Sequence, residues 1–182
     1  VRSFLPVLLL ASVAFGQEAT KLPNRVRTPE ASKAQPATAG QAVLWLDPAE
    51  WSWVESGSET VQTFLYLRGG AQARWIARDE GGVPEALLAE TLDKIQKVDH
   101  EAQVVFTERR LVNDAEVLCV QIRANKDQKR DIVYFGYIFA DEERSHQLYT
   151  ISSGWTLSQS YAELNEFLDG LVVVGPESRL LQ

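Results

Sequence analysis

Along most of this chain apolar and polar residues alternate with a period of two, and twice the period lengthens to that of a helix. Ala42–Leu46 is the first short strand, stopped by Asp47-Pro48. Glu59–Arg68 and Ala71–Arg78 flank Gly69-Gly70, and two glycines supply the positive φ angles of a tight hairpin turn. Gly81-Gly82 ends that second strand. Pro84 suits the first position of a helix, where its missing N–H is not needed. Leu88, Thr91, Leu92, Ile95 and Val98 then recur at three- and four-residue spacing, which predicts an amphipathic helix of about four turns.

From Gln103 the period returns to two. Gln103–Leu111, Ala115–Ala124, Asp131–Ala140 and Gln147–Ser153 read as successive strands joined by Asn113-Asp114, Asn125–Arg130 and Asp141–Ser145, all of them turn chemistry. Short links between neighbours imply an antiparallel meander. Asp131–Ala140 is apolar on both faces, as expected of a central strand covered from both sides. A second helix follows from Leu157, Tyr161, Leu164, Leu168 and Leu171, with Ser160 and Glu163 spaced as a capping box and Gly170 as its stop. Leu171–Val174 returns as a short strand. The fold class is α+β: an antiparallel β-sheet meander flanked by helices, an α/β/α sandwich.

The ends of the chain follow other rules. Arg2, an apolar run from Phe4 to Phe15, and small residues Ala14 and Gly16 make residues 1–16 a secretory signal peptide. The run is too short to span a membrane, which takes about 20 apolar residues. Residues 17–40 hold three prolines and almost no large apolar side chains, the composition of a flexible linker. Residues 41–176 form one domain, and 177–182 a C-terminal tail. The expected location is therefore secreted or periplasmic, and no cysteine follows the apolar run to carry a lipid anchor.

Composition narrows the function classes. The chain has 182 residues, 45% of them hydrophobic, and a net charge of −7. Removing residues 1–16 takes away one base and no acid, so the processed chain is more acidic still. Nucleic acid is an unsuitable partner for it, because phosphates are met by lysine and arginine. Cys119 is the single cysteine and has no partner for an internal disulfide.

Asp47-Pro48 with Trp51, Arg110-Leu111-Val112-Asn113-Asp114-Ala115-Glu116-Val117-Leu118, Val133-Tyr134-Phe135-Gly136-Tyr137, Gln147-Leu148-Tyr149-Thr150 and Glu166-Phe167-Leu168-Asp169-Gly170-Leu171 together resemble the PsbP-like superfamily. The resemblance covers about residues 41–174 and lies in the order of strand, turn and helix. It implies the PsbP-like fold, seen also in secreted bacterial domains, and an assembly, docking or accessory role without catalysis. It brings no catalytic motif to carry over.

Residue chemistry points the same way. There is no Gly-x-Ser-x-Gly elbow, and a triad would have to recruit His100 or His146, the two histidines present. Cys119 with His146 is no stronger, since Cys119 falls mid-strand. Asp141, Glu142, Glu143 and His146 crowd one hairpin loop and could ligate a metal, but Arg144 interrupts them and a solvated charged turn explains them better. Asp99, His100 and Glu101 read as a polar exit from the first helix. Arg68, Arg74, Arg78, Arg109 and Arg110 could gather into a basic patch, a minor idea on so acidic a chain. No catalytic, cofactor-binding or metal-binding residue is assigned, and no cofactor is expected.

The tryptophans stand out. Trp45, Trp51 and Trp53 cluster early, with Trp75 and Trp155 beyond. Tryptophan is a frequent core filler and also a frequent recognition anchor. Trp51 and Trp53, together with Trp155, are the expected binding residues. The leading reading is thus a secreted, non-catalytic module binding an envelope or extracellular protein. The alternative is a secreted small-ligand carrier or hydrolytic enzyme with a pocket between sheet and helix, lined by Glu59, Glu108, Asp141, Glu142 or His146.

Overall fold

A computed structural model describes residues 23–25, 33–36, 41–54, 58, 60–126 and 130–174. The signal-peptide and tail expectations lie outside these residues. In chain order the strands are Asn24–Arg25 (β1), Lys33–Pro36 (β2), Ala42–Leu46 (β3), Trp51–Val54 (β4), Val61–Tyr66 (β5), Gln72–Arg78 (β6), Gln103–Val112 (β7), Ala115–Lys126 (β8), Arg130–Ala140 (β9), Ser145–Ser153 (β10) and Leu171–Val173 (β11). The helices are Pro84–Gln96 (α1), Gly154–Gln159 (α2) and Tyr161–Asp169 (α3). Among the described residues no helix is long and apolar enough to cross a membrane.

Eight strands form one sheet in the order β1-β7-β8-β9-β10-β6-β5-β4. The expected meander β7–β10 is its centre, and the β5–β6 hairpin joins it by antiparallel pairing of β6 with β10. Among the described strands only β1 runs parallel to its neighbour, β7. A small second sheet, β11-β3-β2, pairs the start of the domain with its end. Thus two pieces of the stretch expected as a linker, Asn24–Arg25 and Lys33–Pro36, are paired strands.

The architecture is the expected sandwich. On one face, Val133, Phe135 and Tyr137 of β9 and Cys119 of β8 pack with Leu164, Phe167 and Leu168 of α3 and with Leu44 and Leu171 of the small sheet. On the other, Leu118, Val120 and Ile122 of β8 and Ile138 of β9 meet Leu87 and Leu88 of α1. Gly136 has no freedom to be anything else: a Cβ there would lie 2.2 Å from the Leu148 carbonyl and 2.6 Å from the Tyr149 ring. Gly170 is fixed in the same way, since its Cβ would meet the Trp45 carbonyl at 2.0 Å.

The second helix departs from expectation. It is broken at Ser160, whose φ of −119° and ψ of 28° separate α2 from α3. Ser160 makes no side-chain cap, because its ψ is far from the extended value a capping residue takes and its N–H is held by Thr156 as the last turn of α2. The cap belongs to Ser153 instead, whose Oγ accepts from the Thr156 N–H at 3.0 Å.

Candidate functional site

The expected binding tryptophans separate by environment. Trp51 is 2% exposed and stacks on Phe167 with ring centroids 4.0 Å apart, so it is a core side chain and offers no recognition surface. Trp53, two residues on and on the same face of β4, runs past the cover of α3 and is 50% exposed. Trp155, in the first turn of α2, is 74% exposed. Trp53 and Trp155 thus stand on separate elements.

Beside Trp53 the sheet ends. Among the described residues no strand pairs with the outer side of β4. Leu67 donates to the Glu50 carbonyl at 2.7 Å, next to the Trp51–Tyr66 pair, so the alternation turns the Trp51 and Trp53 N–H groups outward. Asp47 takes the first of these at 2.9 Å. The Trp53 N–H is therefore directed to the open edge, with Val54 and Leu65 exposed on the opposite face of the same two strands and Leu67 exposed just beyond β5.

The groups considered for catalysis or metal binding do not converge. His146 is fully buried between the rings of Trp75 and Phe139. Asp141 closes its own turn, its Oδ1 accepting from the Glu143 and Arg144 N–H groups at 2.9 Å and its Oδ2 from Arg144 Nε at 3.1 Å. Burial works to raise this carboxyl, but these bonds outweigh it and hold it below the usual carboxylate range. Glu142 is solvated, and Glu59 lies outside the described residues. Burial pushes the Cys119 thiol up to about 12 against the pull of Arg110, which leaves it unreactive.

A buried polar clamp lies on the α3 face. Arg110 donates to Glu108 (2.8 Å), Tyr137 (3.2 Å) and Asn165 (3.0 Å). Tyr137 in turn donates to Asp169 Oδ1 at 2.6 Å, and Asn165 to Asp169 Oδ2 at 2.9 Å. Asn113 Nδ2 donates to the carbonyls of Asp169 and Leu171. Burial works against the Arg110 charge, yet its hydrogen bonds to Glu108 and Tyr137 overcome this and keep it protonated. Arg110, Asn113, Tyr137 and Asp169 come from the stretches that carry the family resemblance, and the work of the clamp is to fasten α3 to the sheet.

The concave site is beneath α1. A cleft of about 280 Å³ opens between that helix and β6, β9 and β10. Ile76, Ile95, Val98 and Ile132 form apolar walls, with Tyr134 and Tyr149 between them. Thr91 donates to Gln147 Oε1 at 2.8 Å across one end. Lys94 and Arg78 both pair with Glu90, which lowers the Glu90 carboxyl. Arg74 stands on the sheet wall and makes no ion pair among the described residues. Asp99 is 8% exposed; its Oδ1 accepts from the Glu101 N–H at 3.1 Å, while its buried Oδ2 has no partner there. Burial raises the Tyr149 and Tyr134 hydroxyls, so both stay protonated donors at neutral pH.

Of the acids expected in a pocket, the described ones, Glu108, Asp141 and Glu142, do not line this cleft. Asp99 and Arg74 were visible in the sequence only as a helix exit and as part of a scattered arginine set. Lys94 carried no signal, and Tyr134, Gln147 and Tyr149 stood out only as parts of strands, since helix α1 and strands β6, β9 and β10 bring them together across the whole domain.

No protein-family model and no curated protein sequence matches this chain. Among solved structures it is similar to cyanobacterial PsbP from Synechocystis, with a TM-score of 0.59 and 10% identity over 81% of this chain and 95% of that one. It is similar also to the Saccharomyces cerevisiae Ran-binding protein Mog1p, with a TM-score of 0.56 and 9% identity over 80% and 97%. A protein from Bacteroides thetaiotaomicron gives a TM-score of 0.50 at 11% identity, and this chain spans 50% of it. At these identities the likeness is one of fold, and the fold is PsbP-like.

Proposed function

We propose that this chain is a non-catalytic accessory module, exported to the periplasm or beyond, that binds an extended segment of an envelope or extracellular protein along β4. The observation that carries the reading is the open edge at Trp53, with its outward N–H and the exposed Val54, Leu65 and Leu67 beside it. An unpaired strand edge offers main-chain hydrogen bonds to an added strand, and flanking apolar side chains supply specificity. A Ran-binding protein built on the same fold is a precedent for protein recognition by this scaffold. Export rests on the pattern of residues 1–16.

Photocrosslinking tests it in the cell that makes the protein. A benzophenone residue at position 67 is expected to give one discrete adduct, and the same group at Glu163 on α3 none. Trp53→Pro deletes the outward N–H without removing a ladder bond to β5, and it is expected to abolish the adduct. An adduct of equal strength in the W53P protein, or none at position 67, overturns the docking edge. Recovery of the protein with residues 1–16 intact overturns export. The cleft beneath α1 favours a second reading, a small-ligand carrier, because its walls are apolar and its tyrosines hold their protons.

A further inference from the structure

We infer that the cleft beneath α1 takes a small zwitterion with an apolar body, an aliphatic amino acid or a dipeptide of such residues, its ammonium on Asp99 and its carboxylate on Arg74. The inference rests on the carrier reading of the cleft and is independent of the β4 edge.

Charge accounting in the cleft leaves one group of each sign unanswered. Of the cations on its walls, Arg78 and Lys94 each already pair with Glu90. Arg74 is left with no carboxylate among the described residues. Asp99 is more than nine-tenths buried, and its Oδ2 has no donor. A buried carboxylate oxygen without a donor is costly, so a ligand that brings one is bound with a large reward. Asp99 and Arg74 belong to one site: both line the cleft, and the Tyr134 hydroxyl on its wall lies in the field of both.

Ligand classes can be ordered by what they would leave unmet. A simple carboxylate answers Arg74 and repels Asp99. A simple amine answers Asp99 and repels Arg74. A neutral apolar molecule fills the walls but pairs neither. A molecule that carries both an ammonium and a carboxylate on a short backbone answers both, and its side chain lies against Ile76, Ile95 and Ile132. A volume of about 280 Å³ suits a body of that size and is too small for a larger cofactor.

Titration calorimetry of the full chain with three probes tests this: L-leucine, N-acetyl-L-leucine without the ammonium, and L-leucinamide without the carboxylate. Backbone amide shifts at Val98 and Ile132 locate the binding. Leucine is expected to bind saturably, and each analogue at least roughly tenfold more weakly. Asp99→Asn is expected to weaken leucine by a similar factor and to leave N-acetylleucine unchanged. Arg74→Gln, a change at an exposed side chain that folding tolerates, is expected to weaken leucine and leave leucinamide unchanged. Equal affinity for leucine and N-acetylleucine overturns the zwitterion assignment while keeping the cleft as a ligand site. Leucine affinity unchanged in both variants overturns the placement on Asp99 and Arg74. No binding of any probe at about 10 mM overturns both this inference and the carrier reading.

Discussion

The two faces of the large sheet are finished differently. Behind it, α2, α3 and the small sheet close over Trp51, Phe64, Phe135 and Phe167, and the Arg110 clamp ties the last helix to β7 and β9. In front, α1 is the single described helix, packed on β8 and β9, and the sheet beyond it carries the cleft and the exposed Leu65. Large buried side chains stabilise in proportion to the surface they remove from water, so the rear face holds most of the stability. The front face gives up burial and gains accessible surface. Burial is thus concentrated behind the sheet, while the cleft opens in front of it.

The comparison breaks most visibly at the rear. Phe167→Ala removes the ring under Trp51 and is expected to cost about 3–5 kcal/mol, read from the urea midpoint. Arg110→Leu leaves the Asn165 Oδ1 and the Tyr137 hydroxyl oxygen short of their donor and is expected to cost about 3 kcal/mol by the same measurement. At the front, Leu88→Ala should cost about 2 kcal/mol, because the neighbouring cleft lets the site relax. A larger loss at Leu88 than at Phe167 would reverse the assignment of the two faces.

Finer measurements sharpen it. Burial raises the Asp169 carboxyl above the ordinary aspartate value of 3.8, against the pull of Tyr137, Arg25 and Arg110. The folded state therefore holds this proton more tightly than the unfolded one. Its contribution to stability is full below 3.8 and is lost as pH rises through the raised value. Asp141, held low, acts in the opposite sense and loses its contribution as pH falls through its lowered value. Asp169→Asn is thus expected to gain on the native protein as pH rises from about 3 to about 7, in paired urea titrations. The smallest effect belongs to Trp155→Ala, within about 0.5 kcal/mol, since that ring is solvated.

How much of this was legible in the sequence follows from how far each signal reaches. The meander β7–β10 shows because strand alternation and turn residues are local, and α1 shows because Pro84 and its apolar stripe are local too. The small sheet does not, because β3 finds β11 across the domain and Lys33–Pro36 has no apolar pattern to announce it. The break at Ser160 is hidden by an apolar stripe that continues through both helices. Trp51 and Trp53 share a face, and periodicity gives no sign of where the cover over that face stops. The cleft is hidden most completely, its charges being drawn from a strand and a helix exit that look ordinary apart.

The pairing of β3 with β11 also sets an order of assembly. Leu44 meets Leu171, so β3, an early strand, waits for the last of the described strands. On a chain that emerges from its N-terminus, every hairpin from β5 to β10 is complete while the rear face is still unsealed. Closure of the small sheet is then the step that turns a collection of local hairpins into one cooperative unit. Until Leu171 is released, the chain stays loose enough to be threaded, held or degraded.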